Sequence, residues 1–140
     1  MNGNIDVLII AHNEALNLGH CLESLQGWVR KIHVIDSGST DGTQELAQSM
    51  GAEVVHHDWE GYARQRNWAL QHLDFSAPWT LVLDADESIT PKLREELISI
   101  AEQLIRGLPY IKRCTPLRKS LPMIGTIDSA RASRHFQSPK

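Results

Sequence analysis

The sequence lacks the features of metal modules, secreted proteins and membrane proteins. Its only cysteines, Cys21 and Cys114, lie far apart, with no CxxC motif or His/Cys cluster near either one. This argues against a zinc module and a disulfide framework, and it indicates a reducing compartment. The longest apolar run, Val7–Ala11, is far shorter than the roughly 18–20 residues of a membrane span and lacks the basic start of a signal peptide. We therefore expect a cytoplasmic chain that starts at Met1.

The composition excludes further classes of protein. Of the 140 residues, 41% are apolar and 22% are charged, which is typical of one globular domain with its own core. Residues 1–104 hold 6 basic and 16 acidic side chains, so this part repels phosphate backbones. We therefore expect no nucleic acid among the partners.

Residues 105–140 differ in character from the rest. They hold 8 basic side chains, one acidic side chain and four of the six prolines, without a sustained period of 2 or 3.6. We place a boundary at Arg106–Gly107. Residues 107–140 are predicted to be a basic, proline-containing tail that is poorly ordered or packs without a core.

Before this boundary, strand patterns alternate with amphipathic helix patterns, as in the runs from Ala15 to Leu25 and from Leu93 to Leu104. The predicted strands are Ile5–Ile10, Lys31–Ile35, Glu53–His56 and Thr80–Leu83. Such alternation predicts the α/β class, with an open, mainly parallel sheet and flanking helices.

Two helix starts are also predicted. Asp41 stands three residues before Gln44, which is the spacing of a capping box. Thr90 precedes Pro91, which is the pattern of an N-cap followed by proline at the first helical position.

Polar side chains follow the ends of three predicted strands. The first strand runs into His12, Asn13 and Glu14, the second into Asp36, and the fourth into Asp84. Open α/β sheets bind ligands at the carboxyl ends of their strands, where the strand order reverses. We expect the first and fourth strands to be adjacent, which brings Asp84 opposite His12.

The fourth strand ends in an acidic cluster of Asp84, Asp86 and Glu87. Mutual repulsion disfavours such a cluster unless a cation binds there. A hard divalent ion held by one or two carboxylates completes its coordination shell with water and phosphate oxygens. We therefore predict a metal site suited to a nucleotide diphosphate, and the alternative is a solvated turn that caps the next helix.

Three further positions can serve a nucleotide site. Asp36 lies where α/β nucleotide binders place an acid on the ribose or base, and an Asx turn is the alternative. Arg64 and Arg66 are two residues apart at a helix start, so only one can reach the carboxyl edge. A surface ion pair is the alternative for either arginine. Trp59 is the one tryptophan in a loop near that edge.

Three segments, Val7–Glu14, Val34–Thr43 and Leu81–Glu87, resemble in order and spacing the motifs of family 2 glycosyltransferases of GT-A fold. Trp59–Leu70 is similar to the bacterial branch that adds glucose, or a related sugar, to the lipopolysaccharide core. The resemblance implies inverting transfer of a sugar from a nucleotide donor, usually a UDP-sugar, to a hydroxyl of a glycan acceptor.

The resemblance also implies roles for single residues. His12 would stack on uracil, and Asp36 and Arg64 would contact the nucleoside. Asp84 would bind the ribose or a metal-bound water, and Asp86 would hold Mn²⁺ or Mg²⁺ against the diphosphate. The complete predicted set is His12, Asn13, Glu14, Asp36, Arg64 and Asp84 for the nucleotide sugar, with Asp86 and Asp84 as metal ligands.

On this resemblance, residues 1–106 are the nucleotide-sugar-binding half of a GT-A domain. Family members continue into an acceptor-side half that supplies the general base, so a truncated or frame-shifted tail is expected at 107–140. The alternative for the tail is a basic patch that contacts the inner face of the inner membrane, near a lipid-linked acceptor.

Three functions stay open at this point. The first is an active glycosyltransferase, and the second is a nucleotide-sugar-binding fragment without transfer activity. The third is a sugar nucleotidyltransferase, which ranks last because the loop after the first strand has no glycine or lysine to hold a triphosphate.

Overall fold

The computed structural model describes residues 3–107, 125–128 and 136–137. The strands within them are β1 (Ile5–Ala11), β2 (Lys31–Asp36), β3 (Glu53–His56), β4 (Trp79–Asp84), β5 (Gly125–Asp128) and β6 (Phe136–Gln137). The helices are α1 (Ala15–Leu25), α2 (Thr43–Ser49), α3 (Tyr62–His72) and α4 (Pro91–Gly107). All the strands belong to one sheet in the order β3-β2-β1-β4-β5-β6.

The sheet has the architecture that the sequence predicts. Strands β1 to β5 pair in parallel, and β6 runs antiparallel to β5 at the edge. Strand β1 lies between β2 and β4, so the predicted adjacency of the first and fourth strands is confirmed. The order of strands therefore reverses at β1, which is where an open α/β sheet forms its binding crevice.

Strands β5 and β6 lie within residues 107–140, the segment predicted to be poorly ordered or to pack without a core. Strand β5 continues the sheet beside β4, and β6 pairs with β5 through two register positions. Strands of 4 and 2 residues are too short to produce a period of 2 in the sequence, and backbone pairing with an existing edge defines them. The prediction for the rest of residues 107–140 lies outside the described residues.

The core has two layers because helices cover both faces of the sheet. Odd-numbered residues of β1, such as Val7 and Ile9, pack with α1, α2 and α4 in the larger cluster. Even-numbered Leu8 packs with Ile35 and with Ala69 of α3 in the smaller cluster. For this reason, β1 carries buried apolar side chains at both odd and even positions, which is the pattern of a central parallel strand.

Helix α4 begins as the sequence predicts. The Thr90 hydroxyl accepts a hydrogen bond from the Leu93 amide at 3.2 Å, and Pro91 is the first helical residue. None of the helices in the described ranges is both long and apolar enough to cross a membrane.

An ion pair between buried Asp6 and partly exposed Arg30 stabilises the amino-terminal edge of the sheet. The Asp6 carboxylate is fully buried and accepts two hydrogen bonds from the Arg30 guanidinium, each at 2.7 Å. It also accepts the Ala77 amide at 3.0 Å, in the segment that leads into β4. Asp6 therefore connects β1 to the chain before β2 and to the chain before β4.

We expect Arg30→Met to lower the free energy of unfolding by about 3 kcal/mol, because it leaves the Asp6 carboxylate buried without its charged partner. Urea unfolding followed by circular dichroism measures the change. Lys92→Met, which removes an exposed charge from α4, is the matched control and should change stability by less than about 0.5 kcal/mol. Equal effects of the two substitutions would show that the ion pair of Arg30 with buried Asp6 contributes no special stability.

Candidate functional site

A cleft of about 530 Å³ opens at the carboxyl edge of the sheet, above the ends of β1 and β4. The polar and aromatic side chains that line it are His12, Glu14, Ser37, Trp59, Tyr62, Asp84 and Asp86. Four of the residues predicted to bind donor or metal, namely His12, Glu14, Asp84 and Asp86, are thus brought together. They lie at the crevice where the strand order reverses.

The register of the sheet decides which side chains face α3. Register partners in a parallel sheet project to the same face, and Ile10 is paired with both Ile35 and Asp84. Ile35 packs against α3, so Asp84 projects toward the same face as that helix. Asp36 pairs with Ala11 and projects to the opposite face.

Asp36 is fully buried, and its own loop occupies both carboxylate oxygens. Oδ2 accepts hydrogen bonds from the amides of Gly38 and Ser39, each at 2.9 Å, and from the Gln44 side chain at 2.6 Å. Oδ1 accepts the Ser39 hydroxyl. The Asx-turn alternative therefore describes the geometry of Asp36, and in this conformation its carboxylate shapes the loop and does not face the cleft.

The pKa of Asp36 follows from these contacts. Burial alone raises the pKa of the carboxyl, but the hydrogen bonds from Ser39, Gln44 and Gly38 stabilise the ionised form more strongly. The net result is a pKa below the ordinary value of 3.8.

Asn13 connects the loop after β1 to the loop after β2. Its backbone has a φ of 53°, in the left-handed region that asparagine tolerates better than most residues. The Asn13 amide donates to the Ser39 hydroxyl at 2.8 Å, and the Asn13 side-chain oxygen accepts the Thr40 amide at 2.9 Å. Asn13 thus positions both loops, and it is absent from the cleft lining.

The start of α1 is also bonded to the loop after β2. The Glu14 amide donates to the Thr43 hydroxyl at 3.0 Å, and the Ala15 amide donates to the Asp41 carboxylate at 3.1 Å. The amides of residues 13, 14 and 15 are therefore all engaged within the protein. They do not form the open anion cradle that a helix N-terminus offers in dinucleotide-binding folds.

The predicted capping box of Asp41 and Gln44 is wrong. The N-cap of α2 is Gly42, whose φ of 89° suits glycine. The Gln44 side chain donates to Asp36, whereas in a capping box it would accept from the Asp41 amide. The Asp41 carboxylate accepts the Thr43 amide at 3.1 Å and extends across to α1. The spacing of Asp41 and Gln44 misleads because each side chain bonds to a partner outside the capping box, Asp41 to the Ala15 amide and Gln44 to Asp36.

The acidic loop after β4 directs two carboxylates outward. Asp84 and Asp86 are exposed and line the cleft, whereas Ala85 between them is buried in the core. The Glu87 carboxylate accepts the Asp84 amide at 3.0 Å, and the Glu87 amide donates to the Asp84 carbonyl at 3.1 Å. Glu87 therefore folds back to stabilise the turn and is absent from the cleft lining.

Beneath this turn, the Cys21 thiol lies 3.9 Å from the Asp84 carbonyl oxygen. Burial, together with the negative charges of Glu87 and Asp86, raises the pKa of Cys21 to about 12. The thiol is therefore neutral at physiological pH and acts as a small apolar side chain under the acidic loop.

The two arginines of α3 differ in their surroundings. Arg64 is exposed and does not line the cleft. The Arg66 Nε is buried and has no hydrogen-bond partner among the described residues. Arg66 lies one helical turn after Tyr62, which lines the cleft. Tyr62 was not among the predicted site residues, because an isolated tyrosine at a helix start carries no motif.

We expect the Asp36 carboxylate to stabilise the folded protein at neutral pH by about 1–2 kcal/mol relative to Asp36→Asn, because charged acceptors form the stronger hydrogen bonds. A lowered pKa means that this stability is present above pH 3.8 and is lost as the pH falls from 3.8 through the lower folded-state pKa. Urea unfolding from pH 7 to pH 3 measures the difference between the two proteins.

The matched control for Asp36→Asn is Glu95→Gln, at an exposed position on α4. It should leave the pH dependence of stability close to that of the unchanged protein. A difference between wild type and Asp36→Asn that stayed constant down to pH 3 would contradict the role given to the ionised carboxylate.

Comparison with known proteins gives relatives for most of the chain. The family model described as Glycosyl transferase family 2 matches residues 6–110. The lipopolysaccharide core biosynthesis glycosyltransferase LpsC of Rhizobium meliloti is 38% identical over 109 residues, which cover 72% of this chain and 39% of LpsC. A TPR repeat-containing protein of Synechococcus elongatus is 33% identical over 135 residues, covering 96% of this chain and 32% of that protein.

Among solved structures, TarS of S. aureus matches with a TM-score of 0.54 and 19% identity, covering 74% of this chain and 20% of TarS. That likeness concerns the fold alone, which is of the GT-A type. The chain spans about two fifths of the length of LpsC and about one third of the Synechococcus protein. Because the family model matches about three quarters of its residues, the chain belongs to glycosyl transferase family 2.

Proposed function

We propose that this chain binds a UDP-sugar together with Mn²⁺ or Mg²⁺, and that it belongs to an enzyme that transfers the sugar, with inversion, to a hydroxyl of a glycan. Membership of the family supports transfer of a glycosyl group. The observation that carries the donor proposal is the pair of exposed carboxylates, Asp84 and Asp86, in the cleft at the strand-order reversal.

The electrostatics of the cleft support a metal-dependent donor. A nucleotide diphosphate is anionic, and in this cleft it meets Glu14, Asp84 and Asp86. The amides of Asn13, Glu14 and Ala15, which lead into α1, are bonded to Ser39, Thr43 and Asp41, so they are not available to neutralise it. A divalent cation between the carboxylates and the diphosphate removes the repulsion.

The donor set fits such an ion. Among the described residues, no group of three or more His, Cys, Asp or Glu side chains could hold a metal by itself. Two carboxylates on an open cleft suit an ion that completes its shell with water and phosphate oxygens, as Mg²⁺ does. When bound, the ion supplies Lewis-acid stabilisation of the charge on the departing nucleotide, with Asp86 and Asp84 holding it.

The nucleoside is assigned to the side of the cleft formed by the loop after β1. His12 is exposed there and can stack on uracil. Asn13 and Asp36 would act indirectly, by shaping the loops that carry His12 and Ser37. Arg64 remains the position indicated by the family resemblance, but Arg66 is the better candidate, because its unpartnered Nε lies one turn from a cleft residue.

The acceptor proposal rests on the name of LpsC, which assigns that protein to lipopolysaccharide core biosynthesis. By that likeness we propose a glycan or lipid-linked acceptor, met in the cytoplasm at the inner face of the inner membrane through a peripheral contact. The family match leaves the nucleotidyltransferase alternative without support.

A second candidate function is nucleotide-sugar binding without efficient transfer. The carboxylates that line the described cleft are Glu14, Asp84 and Asp86. The proposal assigns the two aspartates to the cation, and Glu14 accepts a hydrogen bond from Asn17 at 3.0 Å. A carboxylate that is committed to a cation is a poor general base for an acceptor hydroxyl.

We expect Asp86→Ala to weaken Mn²⁺-dependent UDP binding at least about tenfold, a loss of about 1.4 kcal/mol, because it removes one of two metal ligands. Isothermal titration calorimetry with UDP, with and without Mn²⁺, measures the affinity. Glu96→Ala, an exposed carboxylate on α4, is the control and should bind as the unchanged protein does. Unaltered Mn²⁺-dependent binding by Asp86→Ala would contradict the metal assignment.

We expect the 140-residue chain to hydrolyse its donor faster than it transfers the sugar, because a positioned general base contributes roughly 10²–10⁴-fold to rate. Incubation with labelled UDP-glucose, Mn²⁺ and bacterial core oligosaccharide, followed by chromatography, separates free from transferred sugar. Rapid transfer that Asp86→Ala abolishes would refute the second candidate and leave the transferase as the function of these 140 residues.

A further inference from the structure

Trp59 and Tyr62 form an exposed aromatic pair in the cleft. Their side chains are 51% and 65% exposed, although large aromatic residues are normally buried. The ring centroids are 4.7 Å apart and the rings meet at 89°. Exposed apolar surface that lines a cleft is a mark of a binding site.

The loop that carries Trp59 is held at both ends. At its start, the fully buried Gln65 donates to the His57 carbonyl oxygen at 3.0 Å and accepts from the His57 ring. The His57 ring also packs against Trp68, with centroids 4.2 Å apart. At its end, Gly61 has a φ of 96°, a backbone conformation that disfavours any other residue.

The two hydrogen bonds to Gln65 determine which ring nitrogen of His57 carries the hydrogen. The His57 carbonyl oxygen can only accept, so the Gln65 amide nitrogen must face it and the amide oxygen must face Nδ1. Nδ1 therefore carries the hydrogen. Two hydrogen bonds hold the backbone at the start of the loop, so fewer conformations of the loop are lost when a ligand binds, which lowers the entropic cost of binding.

The angle between the two rings shapes the surface that a ligand meets. Rings at 89° form a corner whose apolar surfaces face in two directions. A pyranose ring is thicker than a flat nucleobase, so it can contact both rings, and it has an apolar C–H face and a periphery of hydroxyls. The C–H face fits against such a corner, and the hydroxyls can donate to the carboxylates that share the cleft, Glu14 among them.

We propose that Trp59 and Tyr62 form the subsite for a pyranose ring of the acceptor glycan. The proposal rests on the transferase function proposed above, in which His12 contacts the base and Asp84 and Asp86 hold the cation. An acceptor hydroxyl must approach the donor sugar beside the diphosphate, and an acceptor ring against Trp59 and Tyr62 lies in the same cleft as Asp84 and Asp86.

The test uses the full 140-residue chain and, as probe, a delipidated bacterial core oligosaccharide in the presence of UDP and Mn²⁺. Saturation-transfer difference NMR reports which ligand protons touch the protein, and a titration gives the affinity. Trp59→Ala should weaken oligosaccharide binding about tenfold and leave the affinity for UDP within about twofold. Trp59→Phe, which keeps an aromatic ring, should retain most of the binding.

The matched control is Leu16→Ala, which removes an apolar side chain that is 97% exposed and absent from the cleft lining. It should change neither affinity. Folding of each variant is checked by thermal unfolding, and the exposure of Trp59 makes a native-like melting temperature the expected result.

Three outcomes would overturn the proposal. A tenfold loss of UDP affinity in Trp59→Ala would assign the aromatic pair to the nucleotide. Unchanged oligosaccharide binding by a folded Trp59→Ala variant would show that the aromatic pair does not bind the acceptor glycan. If Trp59→Ala lost binding to phosphatidylethanolamine–phosphatidylglycerol vesicles and retained its oligosaccharide contacts, the aromatic pair would be assigned to a membrane surface. Failure of the donor proposal is detected separately, because it appears as metal-independent UDP binding in the unsubstituted chain.

Discussion

The hydrogen-bonded junction between the loops after β1 and β2 is the constraint on which the cleft depends. Asp36 holds the second loop through its buried carboxylate, and Asn13, Glu14 and Ala15 donate their amides to that loop. These bonds set the position of His12 and Ser37 at the cleft. They also use the amides that a related α/β fold would offer to a phosphate group, so the two loops are rigid but do not attract anions.

That use of the amides explains why a cation is central to the proposed chemistry. The exposed carboxylates of the cleft repel a diphosphate, and the helix that begins beside it offers no open amide cradle. Repulsion of this kind makes ligand binding conditional on an ion that both partners share. In the same cleft, the aromatic pair of Trp59 and Tyr62 offers a surface without charge. The cleft therefore separates an ionic part, near the end of β4, from an apolar part at the start of α3.

Agreement between prediction and structure depends on how local each interaction is. Strands β1 to β4 and the Thr90 cap were predictable, because apolar runs and capping residues act over a few neighbouring positions. The capping box at Asp41 failed, since Asp41 found its second partner at Ala15, 26 residues away. Strands β5 and β6 were missed because a pre-existing sheet edge defines them. Direct contact of Asp36 with the nucleotide stays a prediction. In the structure, the carboxylate of Asp36 accepts hydrogen bonds from its own loop.

By itself, the sequence determined the α/β class, the first four strands along the chain and the residues that follow them at the carboxyl edge. Hydrophobic period and chain order carry this information. Membership of the glycosyltransferase family was also readable from three motifs. Only the tertiary structure decided which polar residues face the cleft, since the pairing of Ile10 with Asp84 and of Ala11 with Asp36 sends the two aspartates to opposite faces. It alone brought the rings of Trp59 and Tyr62 together, because contact between two side chains depends on the path of the loop and on rotamers that no sequence pattern specifies.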